Sequence, residues 1–107
     1  MGPSLRMSIG GHMREYEVMT IHRPDLAEDD IDAKVAEVES HLTENGATIE
    51  GRDLWGKRRF VYEIDHLSEG YYSVVTFQAE PDALHSVDRM LSLADEVVRH
   101  KIVRLGA

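Results

Sequence analysis

Tyr71–Ala94 reads YYSVVTFQAEPDALHSVDRMLSLA, and the change of period inside it decides the fold. Up to Glu80 the residues alternate. Ser73, Val75, Phe77 and Ala79 fall on one side, and Tyr72, Val74, Thr76 and Gln78 on the other. Period two with β-branched and aromatic residues predicts a strand. At Pro81-Asp82 the pattern switches. Leu84, Val87, Leu91 and Ala94 are spaced 3, 4 and 3, with Met90 broadening the middle. That is the single apolar stripe of a helix lying on a core.

The same unit occurs upstream. Arg14–Arg23 (REYEVMTIHR) alternates, with Tyr16, Val18 and Thr20 opposed to Glu15, Glu17, Met19 and Ile21. Pro24-Asp25 ends it. Ile31, Val35, Val38 and Leu42 follow at spacings of 4, 3 and 4. Asp25 and Glu28 have capping-box spacing, Asp29, Asp30 and Asp32 complement a helix N-terminus, and Asn45-Gly46 supplies the stop. Ala47–Asp65 predicts a long strand with a bulge or bend at Gly56, after which Phe60, Tyr62 and Ile64 share a face. His66–Gly70 is read as a five-residue hairpin loop, and Val97–Leu105 as the closing strand.

The order is βαββαβ. Two βαβ-like halves with right-handed crossovers give an α+β, ferredoxin-like domain. Its four-stranded antiparallel sheet carries both helices on one face, because each helix has one apolar stripe. The other face is open, and function is to be sought there.

The chain has 107 residues, no cysteine and a net charge of −8. That length fits one domain, assigned to residues 13–107. Zero cysteines exclude a disulfide scaffold, an iron–sulfur cluster and a thiolate zinc site. No apolar run reaches the roughly 20 residues that span a bilayer. The acidity is regional: residues 24–50 hold nine acids against the single base Lys34. Residues 97–107 hold Arg99, Lys101 and Arg104 and no acid, and Lys57, Arg58 and Arg59 form a second basic run. Residues 1–12 (MGPSLRMSIGGH) show no period. They are read as a disordered extension, a tag or a misassigned start. Gly10-Gly11, a spacer codon and Met13 are what an in-frame purine-rich ribosome-binding site would encode.

Chemical motifs are scarce. The six histidines (12, 22, 41, 66, 85 and 100) include no helical metal-site pair and no HExxH, and are read as surface residues. Asp29, Asp30 and Asp32 lack the alternation and glycine of a calcium loop. No Walker loop, GxGxxG or GxSxG occurs. No cofactor, metal or catalytic residue is expected.

The informative stretch is Trp55-Gly56-Lys57-Arg58-Arg59. Three adjacent cations add nothing to a core. They either guard an edge strand or contact phosphate. Arg99 and Lys101 alternate onto one face of the last strand, and Lys57 and Arg59 on the same side would complete a patch of four. Trp55 or Tyr72 could stack on a base. An RNA-recognition motif has the same element order, but its third-strand pattern fails here. Glu69 stands at the basic position, Tyr72 at the small one, and Ser73 and Thr76 at aromatic ones.

Longer matches are more specific. Met13-Arg14-Glu15-Tyr16-Glu17, Arg23-Pro24-Asp25-Leu26, Trp55-Gly56-Lys57-Arg58-Arg59-Phe60-Val61-Tyr62-Glu63-Ile64, Glu69-Gly70-Tyr71 and Arg99-His100-Lys101-Ile102-Val103-Arg104 stand in order. From Met13 onward the chain resembles the S-six family of the bacterial small ribosomal subunit. Glu63 departs from the family's usual proline, and Phe60-Val61 from its commoner Leu-Ala. The resemblance implies a ferredoxin-like, non-enzymatic, cytoplasmic component of the ribosomal platform. It would bind the central domain of small-subunit ribosomal RNA together with the eighteenth small-subunit protein.

Arg14, Trp55, Lys57, Arg58, Arg59, Arg99, Lys101 and Arg104 are the expected RNA contacts. Met19, Ile21, Tyr72, Val74 and Thr76 are the expected protein contacts on the open face. Neither membrane nor DNA is expected as a partner, and the free chain is expected to be a monomer. Met19, Ile21, Tyr72 and Val74 should then stay partly exposed, and Val74→Asp should leave the fold intact. The competing reading is a homodimeric small-molecule enzyme or sensor made by pairing two open sheets.

Overall fold

The structure, a computed structural model, describes residues 13–106; the reading of residues 1–12 lies outside them. Six elements follow in the expected order: β1 (Arg14–His22), α1 (Glu28–Glu44), β2 (Thr48–Ile64), β3 (Leu67–Ala79), α2 (Ala83–Leu93) and β4 (Val97–Arg104). The strands form one antiparallel sheet in the order β2-β3-β1-β4. Both helices cover one face, where Tyr16, Val18, Val75, Phe77 and Ala79 meet Ile31, Val35, Val38, Leu42, Val87 and Leu91. This is the ferredoxin-like fold that the alternation and the two stripes predict.

Local departures have physical causes. The N-cap of α1 is Ala27, with no side-chain cap, so the Asp25–Glu28 capping box does not form. Glu28, Asp29 and Asp30 still occupy the first turn, where the helix dipole favours them. The expected five-residue hairpin loop is a two-residue turn. Asp65 and His66 both take positive φ (52° and 66°), and β3 starts at Leu67. Two left-handed residues are what a type I′ turn needs, and Asp and His tolerate that region better than most. Nor are all histidines at the surface: His22 is fully buried on the helix side of the sheet and hydrogen bonded to Ser73 Oγ at 2.8 Å.

β1 stops pairing at His22, opposite Tyr71. The β2–β3 hairpin runs on past that point as a two-stranded arm. Between the pairs Arg59–Glu69 and Ile64–Leu67 the register slips, so four β2 residues face one β3 residue. Val61 and Tyr62 stand at this slip, 89% and 82% exposed. The root of the arm folds against the open face at Gly70. A Cβ there would lie 2.5 Å from Ile21 Cγ2, 2.8 Å from Phe60 Cζ and 3.2 Å from the His22 carbonyl oxygen. Gly70→Ala is therefore expected to cost about 1–3 kcal/mol through overpacking. Thermal unfolding measures it. A midpoint within ~4 °C of the parent would show that Phe60 swings aside at little cost.

Candidate nucleic-acid and protein interface

Residues directly opposite one another in a sheet point to the same side, so register assigns every candidate to a face. Met19 and Ile21 on β1 lie opposite Val74 and Tyr72 on β3, and opposite Lys101 and Arg99 on β4. These six, with Thr76, form the open face. A hollow of about 290 Å³ between Met19, Ile21, Arg99, His100 and Lys101 marks its β4 side.

The run Lys57-Arg58-Arg59 divides. β2 bulges between Leu54 and Gly56, where Gly56 takes φ +88°. The extra residue reverses the alternation beyond it. Arg58 lands opposite Gly70 on the open face, while Lys57 and Arg59 lie opposite Tyr71 and Glu69 and point to the other side. The expected patch of Lys57, Arg59, Arg99 and Lys101 therefore does not assemble. The open-face cations are Arg58 on one edge strand and Arg99 and Lys101 on the other. Arg14 and Arg104 pair with Ala79 and Tyr16, which places them on the helix side at the far end of the sheet.

Trp55 is the residue squeezed out by the bulge. Its ring stacks on Tyr72, with centroids 6.0 Å apart and planes within 10°, and Phe60 meets Tyr72 edge-on at 6.3 Å. The Trp55 indole N–H donates to Asp53 Oδ2 at 3.2 Å, and the Arg58 guanidinium lies 5.7 Å over the indole. A β2-edge hollow of about 460 Å³ is lined by Asp53, Leu54, Trp55 and Arg58.

The open face is drier than the sequence predicts. Val74 is 6% exposed and Ile21 9%. Val74 lies between Met19 and Asp53 across the sheet, and between Tyr72 and Thr76 along its strand, most of them longer side chains. Ile21 is closed over by Phe60 at Gly70. Met19 and Tyr72 are partly exposed, as expected, and so is Thr76.

Charge is graded along this face. At one end Glu50 accepts a hydrogen bond from Gln78 Nε2 at 2.7 Å. Its neighbour Glu15 has a carboxyl pushed above the usual range, first by hydrogen bonding to Glu50 and then by repulsion from it. At the other end stand the three cations. Among the described residues, Arg99 is the one predicted cationic RNA contact with an ion pair, to Asp65 at 3.4 Å across from the turn of the arm. Among the described residues, Arg14, Lys57, Arg58, Arg59, Lys101 and Arg104 have no carboxylate within 4.0 Å. The Asp65–Arg99 contact has no signature in the sequence, because it needs the arm to bend across β1 to β4. No group of three or more His, Cys, Asp or Glu that could hold a metal occurs among the described residues.

The family model for ribosomal protein S6 matches residues 15–104. The small ribosomal subunit protein bS6 of Symbiobacterium thermophilum is 48% identical over 92 residues, covering 86% of this chain and 97% of that protein. The bS6 protein of an Arthrobacter species is 44% identical over 92 residues, covering 86% and 91%. The crystal structure of 30S ribosomal protein S6 from Thermotoga maritima superposes with a TM-score of 0.83 at 28% identity. It covers 87% of this chain and 88% of that one.

Proposed function

The chain belongs to the ribosomal protein S6 family, and from that premise we propose that it binds small-subunit ribosomal RNA through the cationic rims of its open sheet face and pairs with the eighteenth small-subunit protein along the apolar strip between them. It is a cytoplasmic, ribosome-associated structural component of the bacterial small subunit and not an enzyme. The homodimeric enzyme or sensor, the competing reading of an open sheet, falls with that membership.

One observation carries the RNA reading. On a chain of net charge −8, Arg58 and Lys101 stand on opposite rims of one face with no carboxylate within 4.0 Å among the described residues. Arg58 touches the Trp55 indole, but neither cation is neutralised by an ion pair among the described residues. Phosphate is the partner that repays them, through release of its counterions. Lys57 and Arg59, on the reverse of the arm, form a second set, and Arg14 and Arg104 a third at the far end. The strip of Met19, Tyr72 and Thr76 supports the protein contact, since partly exposed apolar side chains on a flat face favour a docked surface. The acidic end at Glu15 and Glu50 suits a basic partner.

The test is salt dependence. Arg58→Ala with Lys101→Ala is expected to lower affinity for the central domain of small-subunit RNA, measured with the eighteenth protein present. The log–log salt slope should fall by about two units, one for each lost phosphate contact. Lys57→Ala with Arg59→Ala reports on the second set in the same assay. A slope unchanged by the first pair would refute the RNA role of the open face.

A further inference from the structure

We propose that the β2-edge hollow beside Trp55 is a stacking site for an unpaired guanine of the RNA, with Trp55 as the platform, Asp53 as the reader of the base edge and Arg58 as the phosphate contact. This rests on the RNA reading above and adds a site and a base identity to it.

The platform is built and partly exposed. Trp55 is held flat by the Tyr72 stack beneath the strand edge and by its own N–H bond to Asp53, yet remains 40% exposed. A large aromatic side chain fixed in position and left open to water loses little further freedom when a base stacks on it. Base–aromatic stacking suits single-stranded nucleotides of any sequence. Arg58 already lies over the indole. A planar guanidinium occupies much the same place a base would, and when displaced it is a mobile cation beside the base's own backbone.

Asp53 supplies the choice among bases. Its Oδ2 accepts from the indole, and Oδ1 has no hydrogen-bond partner among the described residues. An ionised carboxylate only accepts. Guanine offers two adjacent donors, N1–H and N2–H, on one edge. Adenine and cytosine place an acceptor beside their donor, and uracil flanks its single donor with two acceptors, so a carboxylate repels part of each. The bulge at Gly56 makes the arrangement possible, since it brings Arg58 to the face that Asp53 and Trp55 share by alternation.

The chain has a single tryptophan, so its fluorescence reads this site directly. Titration with uridine hexamers carrying one central guanine, adenine or cytosine is expected to quench Trp55 in each case, with the guanine hexamer binding on the order of tenfold more tightly. Asp53→Asn should remove the ranking while quenching persists. Arg58→Ala should weaken all hexamers alike and lower the salt slope by about one unit. Thermal melts of both variants check that the fold is kept. Equal affinity of the three hexamers for the parent protein would overturn the guanine assignment. Absence of quenching by any hexamer, or quenching only by the eighteenth protein, would overturn the base site altogether. If the full RNA still shows the slope change for Arg58→Ala with Lys101→Ala, only the base site falls. If that change is also absent, the RNA reading falls with it.

Discussion

Val74→Asp is expected to destabilise the free chain by about 3–5 kcal/mol, the scale of an uncompensated buried charge. Val74 is 6% exposed in the middle of β3, with Met19 on one neighbouring strand and Asp53 directly opposite on the other. A carboxylate at this position loses its water, faces a second carboxylate across the strand pair and gives up the burial of the valine. Like charges directly opposite one another add their own penalty. Domains of this size have about 5–15 kcal/mol in total, so a midpoint fall of at least ~12 °C follows at neutral pH. Lowering the pH should return part of the loss, because protonation removes both the charge and the repulsion. Val74→Thr keeps the shape and should cost far less. A Val74→Asp protein that melts within ~4 °C of the parent would show that this side chain reaches water, as the alternation alone had predicted.

The second large effect is acid sensitivity centred on His22. Burial, followed by repulsion from Lys34 and opposed by Glu96, lowers its pKa from 6.5 to about 4. The folded state therefore holds the imidazole neutral, while the unfolded chain takes up a proton below about 6.5. The stabilising contribution is complete above the unfolded value and is lost as pH falls from there towards the folded one. Its full size is about 3 kcal/mol at 1.36 kcal/mol per unit. Urea unfolding at a series of pH values should show stability falling across this interval. In His22→Gln, whose amide can still reach Ser73, the fall should be absent. Glu96, held below the usual carboxylate range first by its own backbone N–H, adds a separate loss at lower pH that the variant keeps. An equal fall in both proteins between neutrality and pH ~4.5 would exclude His22 as its source.

These two residues also show what sequence reasoning reaches and where it stops. Alternation places His22 with Tyr16, Val18 and Thr20, on the side that proves to be the core. The period of two was therefore enough to find its burial, and treating histidine as a surface residue hid it. The stripe Ile31, Val35, Val38 and Leu42 is buried at 0–2% exposure, because helix periodicity depends on nothing outside the helix. Val74 and Ile21 differ. Their face was legible, but their covering comes from Met19, Phe60 and the arm, which are distant in sequence. The bulge at Gly56 was legible too. Its consequence depends on counting: one extra residue sends Lys57 and Arg59 to the back and Arg58 to the front. The site thus differs from the predicted patch by a single step of register.

The strand order has a consequence for how the protein is made. β1 lies between β3 and β4, and its outer edge pairs with the last strand through Tyr16–Arg104 and on to His22–Val97. On a chain emerging from its N-terminus, β1, α1 and the β2–β3 hairpin are all available before residues 97–104 have been synthesised. During that interval β1 presents a free edge carrying Val18 and Met19, and an unpaired edge is an invitation to pair with another strand. Glu15 and Glu17 on that same edge give it negative charge while it waits. The eight residues of β4 then close the sheet, and the Leu105 N–H bonds to the Glu15 carbonyl at 2.8 Å. A nascent chain stalled before Val97 would hold its helices and hairpin but keep one side of its first strand unsealed. The final strand of the chain thus marks the point at which a newly made molecule becomes safe from its neighbours.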